Sequence, residues 1–215
     1  MTPFLRSLAI GASALWMAAA TALAANGDVD TTFTFAGNNT RCIAVQPDGL
    51  AVVAYDDSNG AGGRKLVRLK ANGTQDPYFN VTVSGGIHCI LVQGDGKILL
   101  GGGFSEISGV RRHNLARLLP DGSVDPTFDP NVDYRVSVIA VQPDGRILFG
   151  GNFYKVAGQA RNNIARVHAD GTLDPTFAPI LGNECSAIHV LADGRILVGG
   201  FFNDVNNIPR RGVAR

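Results

Sequence analysis

An Asp-Gly pair returns at Asp48-Gly49, Asp95-Gly96, Asp144-Gly145 and Asp193-Gly194, at spacings of 47, 49 and 49 residues. A second turn pair keeps step with it at Asn72-Gly73, Asp121-Gly122 and Asp170-Gly171, while Arg68, Arg117, Arg166 and Arg215 recur every 49 residues. A fixed period of this length marks a repeat array, in which each copy buries its apolar surface against its neighbours.

The third copy shows the contents of one unit. Val136 to Gln142 is apolar on both alternating faces, the pattern of a strand covered on both sides, and so is Arg146 to Phe153. Between them stands Pro143-Asp144-Gly145, and an Asp-Gly pair accepts the positive φ of a tight hairpin turn, so the two strands pair antiparallel. Asn163 to Ala169 reads as a third strand, and Asp170-Gly171 turns into a fourth, Thr172 to Phe177. Polarity rises from the first strand to the last, which predicts an enclosed first strand and a watered outer edge. A lone sheet with two apolar faces cannot offset an ordering cost of roughly 1–2 kcal/mol per residue. The expected fold class is therefore all-β, a β-propeller of four-stranded antiparallel blades. The four repeats run approximately over 34–80, 81–129, 130–178 and 179–215.

The motif I/V-A-V-Q-P-D-G-K/R-I-L-x-G-G-x-F, followed by N-x-A-R-L and D-G-S/T-L/V-D-P-T-F, resembles the delta-60 repeat of bacterial secreted and surface proteins. The resemblance implies a β-propeller without an established activity. It extends from Gly27 to Arg215 and is specific over Ile90–Phe128 and Ile139–Phe177. The first copy departs from it: Ala54-Tyr55-Asp56-Asp57 stands where the others have Gly101 to Phe104, Gly150 to Phe153 and Gly199 to Phe202.

Residues 1–24 read as a signal peptide, with Arg6 ahead of the apolar run Leu8–Ala20 and Ala22-Leu23-Ala24 as a small-x-small cleavage pattern. That run is shorter than the roughly 20 residues of a membrane-spanning helix, so no span is expected once the signal is removed. Residues 25–215 then form the propeller. Residues 27–33 repeat the fourth-strand pattern of Asp121–Phe128, an orphan outer strand. Two outcomes follow: this strand closes the last blade to give a four-bladed monomer, or the chain is a fragment of a larger propeller.

Losing Arg6 brings the formal charge from +1 to zero, and without a basic stripe nucleic acid is not an expected partner. Features copied in every repeat serve folding, because an asymmetric active site needs each residue once. By that test the Asp-Gly pairs, the Gly-Gly-x-Phe elements and the Asp76, Asp125 and Asp174 ends are structural. The paired glycines mark close packing or a bulge. Each recurring arginine is expected to meet an acidic side chain or a carbonyl of its own or the adjoining blade. There are two glutamates, Glu106 and Glu184, and the histidines lack ligand spacing. No catalytic, cofactor-binding or metal-ligating residue is assigned, and no cofactor is expected. Cys42, Cys89 and Cys185 share one strand face and read as free thiols, with a Cys42–Cys89 bridge as the alternative.

The expectation is a secreted (periplasmic, cell-surface or extracellular), non-enzymatic binding or display module for a protein or glycan of the envelope or exterior. Its contact sites are placed in the loops that break the repeat, Asp56–Gly63 and Asn203–Asn207. The alternatives are a carbohydrate- or lactone-active hydrolase or lyase working at the channel mouth, and a part of a larger propeller with no separate function.

Overall fold

Each Asp-Gly turn does what its chemistry dictates. Gly49, Gly96, Gly145 and Gly194 have φ of 85°, 81°, 82° and 82°. In the third copy the Asp144 carboxylate accepts the Arg146 N–H at 3.0 Å, and the hairpin opens outward from there. The structure, a computed structural model, describes residues 30, 32–37, 39–56 and 64–215. The expected signal peptide, part of the orphan segment and most of the Asp56–Gly63 loop lie outside the described residues.

The first blade is β1 (Thr40–Val45), β2 (Ala51–Asp56) and β3 (Arg64–Leu69), paired in that order. The second has β4 (Val81–Val92), β5 (Ile98–Ile107) and, past a short β6 (Val110–Arg111), β7 (Leu115–Leu118). The third comprises β8 (Val136–Val141), β9 (Ile147–Gly151), the hairpin β10 (Lys155–Val156) with β11 (Gln159–Ala160), and β12 (Ile164–Val167). The fourth repeats this plan as β13 (Cys185–Val190), β14 (Ile196–Gly200), β15 (Asp204–Val205) with β16 (Ile208–Pro209), and β17 (Val213–Ala214). All pairings are antiparallel, and the described residues contain no helix. Inner strands neighbour one another from blade to blade: β1 beside β4, β4 beside β8, β8 beside β13.

Three expectations need correction. The fourth strand of each of the first three blades is a single bridge, Leu69 to Gln75, Leu118 to Val124 and Val167 to Leu173. Immediately after the bridge the aspartate folds the backbone into a turn. Asp174 accepts the Thr176 N–H at 2.9 Å and its hydroxyl at 2.6 Å, and Pro175 has no N–H for a ladder. The second strand, rather than the first, is the enclosed one: β9 is buried throughout, whereas β8 is buried only at Val136 and Ile139. β9 is the middle strand of its sheet, between β8 and β12, whereas β8 is an edge strand.

The ring is also open. Residues 33–35 pack on the first blade, with Thr34 N–H donating to the Asn72 carbonyl at 3.2 Å and the Phe35 ring edge-on to Tyr55 at 5.3 Å. Ile43 and Val45 of β1 are 59% and 65% exposed, and Val213 of β17 is 65% exposed where its counterpart Ile164 is 1%.

A repeated joint holds neighbouring blades together. Arg117 lies 2.8 Å from Asp125 within its blade, covers the Phe128 ring at 4.4 Å and donates to the Ala169 carbonyl of the next blade. Arg68 does the same with Asp76, Phe79 and the Pro120 carbonyl. Each ring rests on a turn glycine of the following blade: a Cβ on Gly122 would stand 2.9 Å from Phe79, and one on Gly171 3.0 Å from Phe128. Arg166 pairs with Asp174 at 2.9 Å, stacks on Phe177 and donates to Gln142 Oε1 of its own blade at 3.3 Å. The expected partners of the recurring arginines are thus present at all three of these positions.

Candidate functional site

Every inner strand breaks its register at the same place. A β-bulge falls between Thr40 and Cys42, Ile87 and Cys89, Val136 and Val138, and Cys185 and Ala187. A bulge leaves one residue out of the ladder and re-aims its side chain. The extra residues are Arg41, His88, Ser137 and Ser186, so one backbone device presents different chemistry in each blade. Two residues earlier the chain carries Asn39, Gly86, Arg135 and Glu184, and across the hairpin Asp56, Gly103, Asn152 and Phe201.

The paired glycines explain how the bulge is accommodated. A Cβ on Gly102, Gly151 or Gly200 would overlap the carbonyl oxygen of Gly86, Arg135 or Glu184 respectively, so the carbonyl beside the bulge lies over a residue with no side chain. This is the close backbone approach that glycines within a strand announce. In the first blade Tyr55 occupies this position and packs on Phe35.

The varied side chains meet across blades. Arg135 Nη2 of the third blade donates to Glu184 Oε2 of the fourth at 2.9 Å, and the Ser137 hydroxyl donates to Oε1 at 2.8 Å. In the first blade, Arg41 Nε and Nη2 donate to Asp56 Oδ2 at 3.1 and 3.0 Å. Arg64 Nε stands 3.2 Å from Asp56 Oδ1 at an angle that makes no hydrogen bond, and Oδ1 is one of the buried polar atoms left without a hydrogen-bond partner among the described residues, as is Arg135 Nε. His88 lies between these clusters. Partial burial, and then the cations Arg135, Arg64 and Arg41, hold its pKa below the ordinary histidine value, with Glu184 opposing. His88 is therefore neutral at pH 7 and is able both to give and to take a hydrogen bond.

A cleft of about 390 Å³ adjoins Arg135, lined among others by Ser84, Ser105, His113, Asp133 and Tyr134. Tyr134 is 58% exposed, and Phe201, whose N–H donates to the Glu184 carbonyl at 2.9 Å, is 70% exposed. Tyr154, 60% exposed, hangs from Asp133 through its N–H at 3.0 Å. Among the described residues no cluster of three or more His, Cys, Asp or Glu side chains is placed to hold a metal ion, and no helix is long and apolar enough to cross a membrane.

Of the loops singled out from sequence, the first contributes Asp56 to this rim, and residues 57–63 lie outside the described residues. The second, Asn203–Asn207, is part of the β15–β16 hairpin. Asn206 and Asn207 have φ of 51° and 61°, matching Ala157 and Gly158 at 49° and 76° in the third blade. Asn206 also exchanges hydrogen bonds with Ile180, through Oδ1 and its own N–H, both at 2.8 Å. This loop keeps the common hairpin with asparagines, which accept left-handed backbone as glycine does. Cys42, Cys89 and Cys185 are free thiols, and burial pushes Cys42 and Cys185 up to about 11 and Cys89 upward as well. They pack as small apolar groups.

Apart from Asp56, the rim residues do not lie in the loops that break the repeat. The signal lay in strands that keep it: aligned on Cys42, Cys89, Val138 and Ala187, the positions one and three residues earlier change chemistry from copy to copy.

Fold and rim together define a repeat protein of propeller blades with a constant frame and varied side chains at the bulges. The family model described as a domain of unknown function (DUF5122) beta-propeller matches residues 46–79, 93–128, 142–177 and 191–215, and the chain belongs to that family. A comparison with curated proteins finds no match.

Proposed function

We propose that the chain is a secreted, non-enzymatic binding module, of the bacterial delta-60 repeat type, whose rim takes a sugar that bears a carboxylate. The observation that carries this reading is the set of four equivalent bulges presenting Arg41, His88, Ser137 and Ser186, with Arg135 and Glu184 beside them. Constant backbone with varied side chains is what selection on a contact surface, rather than on the fold, leaves behind. Supporting chemistry surrounds Arg135: a cleft within the usual range of ligand sites, hydroxyls on Ser84 and Ser105, and the exposed ring of Tyr134. An aromatic face stacks on a sugar ring, hydroxyls and Asp133 bond its hydroxyls, and a guanidinium fork matches a carboxylate. Both oxygens of Glu184 are already engaged by Arg135 and Ser137, an arrangement that suits positioning better than proton transfer.

Titration calorimetry with a glucuronate-containing oligosaccharide tests the proposal. Binding is expected to weaken at least tenfold in both Arg135→Ala and Tyr134→Ala, and to survive with the neutral glucose analogue only at much lower affinity. Absence of binding to acidic oligosaccharides, or affinity unchanged by the two substitutions, overturns it.

A further inference from the structure

The second blade has a hollow at its bulge. Where the other copies carry Asn39, Arg135 and Glu184 it has Gly86, and where they carry Asp56, Asn152 and Phe201 it has Gly103. Two side chains lean over these glycines. A Cβ on Gly86 would overlap Arg64 Nη1, and would stand 2.9 Å from Arg64 Cζ and 3.3 Å from His88 Nε2. One on Gly103 would stand 4.0 Å from the same imidazole nitrogen. Arg64 belongs to β3 of the first blade and His88 to β4 of the second, so the hollow joins a guanidinium and an imidazole across a blade boundary. Gly86 is buried beneath them, while His88 is exposed.

The donors of this pair are unspent. Among the described residues neither terminal nitrogen of Arg64 makes a hydrogen bond, nor does the His88 ring, and Arg64 Nε stands 3.2 Å from Asp56 Oδ1 without bonding to it. Arg41 and Arg64 face a single carboxylate, Asp56, whereas Arg135 is matched by Glu184, so positive charge is left over. A guanidinium edge bonds two oxygens of an anion. A planar carboxylate has no third oxygen for the imidazole on the neighbouring strand, and a tetrahedral oxyanion does.

We propose that Arg64 and His88 form a site for a tetrahedral oxyanion, a sulfate or phosphate group seated over Gly86. The donors lie in the first two blades and Arg135 and Tyr134 in the third, so this site and the carboxylate cleft are tested apart. Gly103 borders that cleft, which leaves room for the oxyanion to be an ester on a sugar as well as a free ion. Burial, and then Arg135, Arg64 and Arg41, hold the His88 pKa down, with Glu184 opposing and Asp56 bound to Arg41. An oxyanion among those cations offsets them and draws a proton onto the ring, so binding tightens as pH falls.

Solution NMR of the His88 ring in the purified chain reads the outcome. In sodium sulfate, against sodium chloride of equal ionic strength, its titration midpoint is expected to move to higher pH. Arg64→Gln should weaken sulfate binding about tenfold. Gly86→Ala should do the same with Arg64 still present, because its Cβ meets only the ends of side chains and pushes the guanidinium away. The comparison of salts needs no variant, so it decides even where a substitution perturbs the fold. A midpoint equal in the two salts, or sulfate affinity unchanged in either variant, overturns the proposal. Of glucose 6-sulfate and inorganic phosphate, the tighter competitor identifies a sulfated sugar or a free ion as the source; failure of both to displace sulfate also overturns it.

Discussion

At the scale of single residues, the aspartates that end each blade link the fold to pH. Asp174 is held down to about 2, first by the Thr176 hydroxyl, then by the Thr176 N–H and Arg166, against the opposing effect of burial. A carboxyl whose folded pKa lies below its unfolded value stabilises the fold above the unfolded pKa, and that contribution fades as pH falls through the folded one. The window here runs from 3.8 down to about 2. Thr176→Val is expected to cost on the order of 1 kcal/mol at pH 7. In urea titrations at several pH values, the gap from wild type should shrink steadily between pH 4 and pH 2. A constant gap would show that the hydroxyl acts through packing alone. Sequence named Asp174 as structural and foresaw a partner for Arg166, since a fixed spacing of eight residues between the two appears in three copies. It did not reveal the threonine, which in the first copy is Tyr78, bonded to Asp76 through its N–H only, at 3.0 Å.

At the scale of the strand, turns were legible and bulges were not. Asp-Gly pairs dictate a hairpin through local chemistry, so β8 and β9 lie where alternation and Asp144-Gly145 put them. The bulge depends on a carbonyl lying over a glycine of the adjacent strand, and only the glycine half of that pair leaves a trace in the sequence. The missing fourth strand has the same origin: Leu173 reads as strand, yet the turn begun by Asp174 stops the ladder after one bridge. Gly151→Ala tests the bulge directly. Its Cβ would collide with the Arg135 carbonyl and stand 2.9 Å from Val136 Cα. Backbone cannot yield as a flexible side chain does, and a loss of about 1–3 kcal/mol is expected. Because the same shift moves Arg135, oligosaccharide affinity should fall in parallel; loss of stability with affinity intact would separate the bulge from the rim.

At the scale of the molecule, the period announced the architecture, but the angle between blades is written nowhere in a single copy. What joins one blade to the next is contact between copies, as where Phe79 and Phe128 seat on the next turn glycine. One strand also sets how the array comes apart. Arrays of repeats fold and unfold as coupled neighbours, and β4 is divided between two of them: Val81 and Thr82 pair with β3, while Val83 to Val92 pair with β5. The third blade has no such strand in common with the second. Hydrogen exchange should show the amides of β2 and β5 opening together, with the amides of β9 on a separate schedule. Independent exchange of β2 and β5 would mean that sharing a strand does not fuse the two blades. Coupled opening would make the first two blades a single foldon, a natural nucleus during synthesis, since both leave the ribosome before the third.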